Sequence, residues 1–198
     1  MSNNWTYTIG SGYYYNHMTL TGNAAIIKQF YEDHYTDITQ QAIIGIIANM
    51  EHESYLNPGQ QEHGKGGSAS YGYGLLMWTP ARTKILAYAS GAGVDWYDGD
   101  AQLDYSRTSI PSGWIKSSAY SYTWDEYRRI TDYNEATRAF FYNFERGTWH
   151  DELDTYTYFW ANELYGENPP TPDPPRPPSP VEEDELLWFA IFMSKMIR

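Results

Sequence analysis

The chain has 198 residues and no cysteine, so it is long enough for one folded domain and cannot carry a disulfide scaffold, a thiol nucleophile or a cysteine-ligated metal. Its 25 acidic and 13 basic side chains give a formal charge of −12, which argues against sequence-independent binding of nucleic acid and against electrostatic docking on anionic lipid. Twenty Tyr and eight Trp favour surfaces that are both apolar and hydrogen-bonding, as sugar-binding surfaces are, although an ordinary aromatic core fits the same composition.

The N-terminal residues have no clear periodicity. Residues 1–20 are polar and aromatic, with three consecutive Tyr at 13–15, and predict an extended or irregular lead-in. They lack the basic and apolar regions of a secretory signal, so we expect none here. Residues 22–35 place apolar side chains at helical spacing and predict the first helix.

The second predicted helix is the most strongly marked in the chain. Thr39 is a favourable N-cap, and the apolar residues between 42 and 50 form a stripe wide enough to be buried on most sides. The Asn-Pro-Gly sequence at 57–59 predicts its end. Glu51 and Glu53 fall in the last turn, on opposite flanks of the apolar stripe.

The following segment is rich in glycine, serine and polar residues and predicts loops. Within it, residues 71–75 read Tyr-Gly-Tyr-Gly-Leu, which favours short strands or a hairpin with close backbone approach. Thr79-Pro80 combines an N-cap with proline at the first helical position. It predicts a helix that runs to about Ser90 and stops at Gly91.

The remaining helices are predicted from caps and apolar spacing. One begins near residues 98–99, and a capping box at 123–126 starts a short helix. Residues 134–145 and 150–165 have helical spacing, and Gly166 closes the last helix.

The composition changes sharply after that glycine. Eight of the 11 prolines lie between residues 169 and 180, and four acidic residues follow shortly afterwards. We interpret residues 167–185 as a proline-rich acidic linker with polyproline II character. Residues 186–198 form a short apolar C-terminal segment, which would aggregate if exposed and is therefore expected to dock on another protein chain or a membrane.

The two glutamates at the end of the second helix are candidate acids. Apolar surroundings and the negative end of the helix dipole both raise the pKa of a carboxyl at this position. A carboxylic acid held protonated near neutral pH is what a glycosidase needs as its general acid. Periodicity does not distinguish Glu53 from Glu51, and two solvated helix-end carboxylates fit the same pattern.

Three motifs follow one another along the chain. Residues 42–58 contain Asn-Met, Glu-Ser and Asn-Pro, residues 72–80 read Gly-Tyr-Gly-Leu-Leu-Met-Trp-Thr-Pro, and residues 144–146 read Phe-Glu-Arg. In this order and spacing they resemble the motifs of the phage tail-tip lysozymes, a family of lysozyme-like peptidoglycan hydrolases. The similarity spans roughly residues 20–165.

The resemblance implies an α+β fold that is predominantly α. Residues 1–166 would form a lysozyme-like catalytic domain with a small β-hairpin flanking the cleft. The glutamate of Glu-Ser is the family's general acid, so the resemblance assigns that role to Glu53. Glu51 stands where the family is variable, and we expect it to face solvent.

The resemblance also implies residues that contact substrate. The aromatic-glycine hairpin lines the sugar cleft in this superfamily, which places Tyr71, Tyr73 and Trp78 near substrate, with packing in the hairpin core as the alternative. Met77 stands where the family has glutamine. We include Met77 among the substrate-binding residues, although its side chain cannot make the glutamine's hydrogen bonds.

Two further acids complete the predicted site. Glu62 is the candidate second catalytic carboxylate, and the alternative is a solvated loop acid. Glu145 is expected to be a buried structural or cleft-wall acid that pairs with Arg146 or Arg138, and we place it with the substrate-binding residues.

The implied activity is hydrolysis of the β-1,4 bond between N-acetylmuramic acid and N-acetylglucosamine in bacterial peptidoglycan, by a phage tail protein or a released endolysin. The alternatives are a weak or inactive wall-binding or virion-structural module, a lytic transglycosylase, and a chitinase-like hydrolase. No organic cofactor is implied. His52, Glu53 and His63 match no common ligand spacing, so no metal is expected.

Overall fold

The computed structural model describes residues 3–12 and 17–167, and these residues fold mainly as α-helices, which confirms the predominantly α prediction. The described helices are α1 (His17–His34), α2 (Gln40–Ser54), α3 (Ile85–Ala92), α4 (Gly99–Gly113), α5 (Trp124–Tyr127), α6 (Tyr133–Phe140) and α7 (Glu152–Tyr165). A 3₁₀ turn, Ala81–Thr83, precedes α3, and a π-helical turn, Phe141–Glu145, follows α6. Within this part of the chain, no helix is both long and apolar enough to cross a membrane. The predicted linker beyond residue 167, the apolar C-terminal segment and the three consecutive Tyr lie outside the described residues.

Helix α2 is the central element of the fold. The side chain of Thr39 accepts a hydrogen bond from the Ala42 amide at 3.1 Å, which confirms the predicted N-cap. Helices α1, α6 and α7 pack around α2, so most of its residues are buried. At Gly45 a Cβ would lie 2.9 Å from the backbone carbon of Ala136 in α6. Only glycine lets the two helices approach this closely.

Helix α1 begins earlier than the sequence predicts. The irregular lead-in was expected to reach residue 20, but α1 starts at His17. Leu20 is buried with Ala24 and Ile27, so the apolar stripe extends one turn towards the N-terminus. Leu20 therefore packs on the core from the extra turn.

The predicted β-hairpin does not form regular strands. The described residues of this region make only isolated bridges, which pair Gln61 with Tyr73 and Tyr73 with Trp78. Gln102 explains the irregular path, because its buried side chain accepts a hydrogen bond from the Leu75 amide at 2.8 Å and donates one to the Pro58 carbonyl at 2.7 Å. Backbone groups that a strand ladder would pair are therefore bonded to a side chain instead.

Helix α3 also differs from its prediction. The amides of Ala81 and Arg82 donate to loop carbonyls at 3.0 Å and 2.9 Å, so the segment after Pro80 forms a 3₁₀ turn and the α-helix starts only at Ile85. The helix continues through Gly91 and ends at Ala92, because Gly93 adopts the left-handed conformation at φ +71°.

The caps of the later helices match their predictions. Asp98 caps α4, the Thr123–Glu126 capping box is present, and Gly166 ends α7 in the left-handed conformation. The helix predicted over 134–145 divides into α6 and the π-helical turn. That turn directs Glu145 towards the cleft described next.

Candidate active site

A cleft of about 660 Å³ lies beside the C-terminal end of α2. Five parts of the chain line it: the last turn of α2, the loop that follows it, the N-cap residue at the start of α3, helix α4 and the π-helical turn. Each of the three sequence motifs contributes to its wall. The residues that line the cleft include Glu53, Glu62, Met77, Trp78, Glu145 and Arg146.

Glu53 occupies the last turn of α2 and reaches the cleft from that helix. Burial raises the pKa of its carboxyl from 4.5 to about 7, and the negative charge of Glu62 acts in the same direction. A carboxyl with this pKa holds a proton in a large share of molecules at neutral pH. It can therefore act as a proton donor to a group bound in the cleft.

The residues next to Glu53 fix the end of α2 against the cleft loop. Ser54 is buried, and its hydroxyl shares its one hydrogen between the carbonyl oxygens of Met50 at 2.8 Å and Leu75 at 3.0 Å. Asn57 accepts from the Thr8 amide at 3.1 Å and donates to the Thr8 carbonyl at 2.8 Å. The Glu-Ser and Asn-Pro motifs thus hold the helix end, the loop and the N-terminal segment together.

Glu62 lies on the loop that follows α2 and lines the same cleft as Glu53. Its carboxylate accepts a hydrogen bond from the Gly72 amide at 2.9 Å, and its own amide donates to the Gly72 carbonyl at 2.9 Å. These two bonds fix its position without neutralising its charge. The structure therefore brings both predicted catalytic carboxylates to one cleft.

Glu145 reaches the cleft from the π-helical turn. Its Oε1 is buried and has no hydrogen-bond partner within the described part of the chain. Burial raises the pKa of this carboxyl well above its usual range, and Glu53 adds to the effect, while Arg146 and Lys84 oppose it. The expected pairing with Arg138 is wrong, because Arg138 binds Asp154 at 3.1 Å.

Four substrate-binding residues were predicted in or next to the second motif, and the structure places them differently. Met77 and Trp78 line the cleft. Tyr71 is 39% exposed and lies under the Lys65 ammonium, whereas Tyr73 is 5% exposed and its hydroxyl donates to the Gly67 carbonyl. Neither tyrosine is among the residues that line this cleft, so the structure brings together only part of the predicted aromatic set.

Glu51 corrects an expectation about the same helix turn. It was expected to face solvent, but it is 2% exposed, and Trp160 of α7 donates its indole N–H to the Glu51 carboxylate at 2.5 Å. The expectation, which rested on family variability at this position, is wrong because α7 packs against this side of α2. Glu51 is held in the core, and Glu53 is the acid that opens to the cleft.

Helix α4 supplies residues that sequence reasoning missed. The Trp78 indole N–H donates to the Ser109 hydroxyl at 3.1 Å, and the Trp78 and Tyr105 ring centroids are 5.2 Å apart. Lys84, just before α3, also lines the cleft. No motif marks these residues, and only the N-cap of α4 was visible in the sequence.

Two comparisons place this geometry among known proteins. The family model for phage tail lysozyme matches residues 22–167. Morphogenesis protein 1 of Bacillus phage B103 is 32% identical over 133 residues, which are 65% of this chain and 36% of that protein. The chain thus spans about a third of the length of that curated relative.

Proposed function

The chain belongs to the phage tail lysozyme family, and from that premise we propose that it hydrolyses the β-1,4 bond between N-acetylmuramic acid and N-acetylglucosamine in bacterial peptidoglycan. One observation carries the proposal: Glu53 stands at the end of a buried helix, opens to a cleft of about 660 Å³, and shares that cleft with Glu62. Glycoside hydrolysis uses two carboxyl groups in different protonation states.

The proposed roles follow from the two environments. Glu53 protonates the glycosidic oxygen as the bond to the leaving sugar breaks, because burial favours its neutral form. Glu62 acts on the opposite side of the sugar, where it stabilises the oxocarbenium-like transition state directly or through a water molecule. The hydrogen bonds between Glu62 and Gly72 support this role, since they hold the carboxylate in place.

Substrate binding is assigned to the remaining predicted residues. Met77 offers apolar surface to a sugar ring from the cleft wall. Trp78 is 3% exposed, so it supports that wall from the core side, and Glu145 offers a polar group from the π-helical turn. Tyr71 is exposed and is proposed to contact sugars that extend beyond the cleft. Tyr73 is buried and is proposed to support the loop that carries the second motif. The cleft residues Tyr105 and Ser109 support Trp78.

The biological setting is proposed from the same relationships. Both comparisons are with phage proteins, which supports a phage-associated protein that acts on the bacterial wall. A tail component and a released lysis protein both remain consistent with this setting. The C-terminal apolar segment is proposed to dock on another chain or a membrane, so removing the residues after Gly166 should leave hydrolysis intact.

A second candidate function rests on two observations. Met77 stands where the family has glutamine, and the relative is named a morphogenesis protein. Both favour a virion-structural or wall-binding module that retains the lysozyme fold with weak or no turnover. A lytic transglycosylase, in which a hydroxyl of the sugar itself attacks, uses the same general acid.

The proposal is tested by release of soluble fragments from purified peptidoglycan. We expect release by the wild type, a loss of at least about a hundredfold in Glu53→Gln, and normal release by Glu163→Gln on the exposed surface of α7. Chitin serves as the control substrate and should not be degraded. Binding to peptidoglycan without release by the wild type would instead identify the structural module.

A further inference from the structure

A second cluster of polar side chains lies outside the catalytic cleft. His52 is in the last turn of α2, His150 precedes α7, and Glu152 is the first residue of α7. The His52 Nδ1 and Glu152 Oε1 atoms are 2.9 Å apart, and the two imidazole rings have centroids 4.8 Å apart. One potential ligand atom from each residue lies within 4.8 Å of both others.

We propose that His52, His150 and Glu152 bind a single zinc ion. Zinc prefers imidazole nitrogen together with carboxylate oxygen, and two histidines with one glutamate are a ligand set that it uses when a water molecule takes the fourth position. This proposal is independent of the hydrolase activity. None of the three residues lines the cleft that contains Glu53.

The distances allow zinc to bind after small side-chain rotations. Tetrahedral bonds of about 2.0–2.2 Å place ligand atoms roughly 3.4 Å apart. The 2.9 Å separation between His52 and Glu152 must therefore open slightly, and the widest separation of 4.8 Å must close by about 1.4 Å. His150 and Glu152 are exposed, so they can rotate without repacking the core, whereas His52 is held by α2.

The charges around the cluster are also suitable for a cation. Zinc binds imidazole in its neutral form, so two histidines and one carboxylate would hold the ion with one negative charge, and Asp151 lies between His150 and Glu152 in sequence. Arg138 binds Asp154 and lies over the Trp149 ring, so its charge is engaged by those residues. The net charge of −12 further favours accumulation of cations near the protein.

Zinc at this site would connect two distant parts of the chain. His52 and Glu152 are 100 residues apart in sequence, and α2 carries Glu53 immediately after His52. An ion that binds only the folded arrangement stabilises it by mass action. A bound zinc ion would therefore link the C-terminal end of α2 to the N-terminal end of α7.

The test is calorimetric titration of Zn²⁺ into the untagged full-length chain after treatment with EDTA and its removal. We expect one ion per chain and a rise in Tm of about 5 °C at a hundredfold excess over Kd. His150→Ala and Glu152→Gln should each weaken binding by about a hundredfold or more. His34→Ala and His63→Ala remove histidines elsewhere and should leave Kd unchanged.

Two results would overturn the proposal. One is the absence of stoichiometric Zn²⁺ binding, which would leave the His52–Glu152 contact as a simple hydrogen bond. The other is unchanged affinity in His150→Ala, which would place the bound ion elsewhere. Both measurements are independent of peptidoglycan hydrolysis, so failure of the zinc site and failure of the proposed function are distinguishable.

Discussion

The Ser54 hydroxyl donates a hydrogen bond of 3.0 Å to the carbonyl oxygen of Leu75, and this bond joins the helix that carries Glu53 to the loop that carries Met77 and Trp78. The same hydroxyl approaches the Met50 carbonyl at 2.8 Å. A side chain in the first sequence motif thus fixes the backbone of the second. The two walls of the cleft are positioned relative to each other by a buried polar contact.

Replacing Ser54 with Ala should loosen this connection. The Leu75 carbonyl would lose a buried partner, so we expect the free energy of unfolding to fall by about 1–3 kcal/mol and kcat to fall with it. Urea unfolding and peptidoglycan hydrolysis measure the two effects. Thr108→Ala removes an exposed hydroxyl bonded within α4 and should change neither. Unchanged stability in Ser54→Ala would contradict this role.

The Glu51→Ala variant distinguishes the structural role of Glu51 from the catalytic role of Glu53. The Trp160 indole N–H would be left buried without its carboxylate acceptor, which should lower the free energy of unfolding by about 1–3 kcal/mol. The rate of hydrolysis per folded molecule should stay close to that of the wild type. A stable Glu51→Ala variant without activity would assign the general acid to Glu51 instead of Glu53.

The rate of hydrolysis should fall as the pH rises through about 7. Glu53 must be protonated to act as the acid, and its pKa is raised to about 7 by burial and by Glu62. The rate is measured against pH with EDTA present, so that no metal ion near His52 contributes. A decline centred near the ordinary carboxyl value of 4.5 would contradict this electrostatic account.

The raised pKa of Glu53 predicts that the stabilities of the wild type and Glu53→Gln differ by an amount that depends on pH. The folded-state pKa of Glu53 lies above the unfolded value, so its stabilising contribution is complete below pH 4.5 and is lost as the pH rises through about 7. Glu53→Gln cannot ionise and should exceed the wild type in stability above that pH, by no more than about 3 kcal/mol. Urea unfolding across this range should show the two proteins converging at low pH; parallel stability curves would contradict the prediction.

Glu62→Gln should change both the rate and its pH dependence. Removing the negative charge of Glu62 lowers the pKa of Glu53, so the alkaline decline in activity should move to lower pH. The proposed second role of Glu62 predicts a lower kcat as well. Glu163→Gln, an exposed change on α7, should leave the profile unchanged. An unshifted decline in Glu62→Gln would mean that the two carboxyls do not interact.

Glu145→Gln should fold as stably as the wild type near neutral pH. Burial raises the pKa of the Glu145 carboxyl and so favours its neutral form, and glutamine is a neutral side chain of similar size. Thermal unfolding measures the stability of this variant. In a separate binding assay, Glu145→Ala should bind peptidoglycan more weakly than the wild type. A loss of about 3–5 kcal/mol in Glu145→Gln would instead indicate a buried ion pair with Arg146.

The features set by local sequence were largely predictable. The Thr39 cap, the Thr123–Glu126 capping box and the Gly166 terminus depend on residues a few positions apart, and all three are confirmed. The apolar stripe of α2 was equally clear. The family motifs then indicated which regions meet around Glu53, although periodicity alone did not choose between Glu53 and Glu51.

The features that were missed depend on contacts across long stretches of chain. Gln102 replaces the expected strand pairing near Leu75 with side-chain bonds, and nothing local to either residue indicates this. Glu51 is buried because α7 brings Trp160 to it, 109 residues away. The proximity of His52 to His150 likewise depends on how α2 and α7 pack.

The central claim is that Glu53 is the acid of a peptidoglycan hydrolase. Its most direct test is mass spectrometry of the fragments released from purified peptidoglycan by the wild type and by Glu53→Gln. We expect muropeptides with reducing N-acetylmuramic acid ends from the wild type alone. Anhydro ends would identify a lytic transglycosylase with the same acid. Equal release by Glu53→Gln, or no release by a folded wild type that still binds the wall, would contradict the claim.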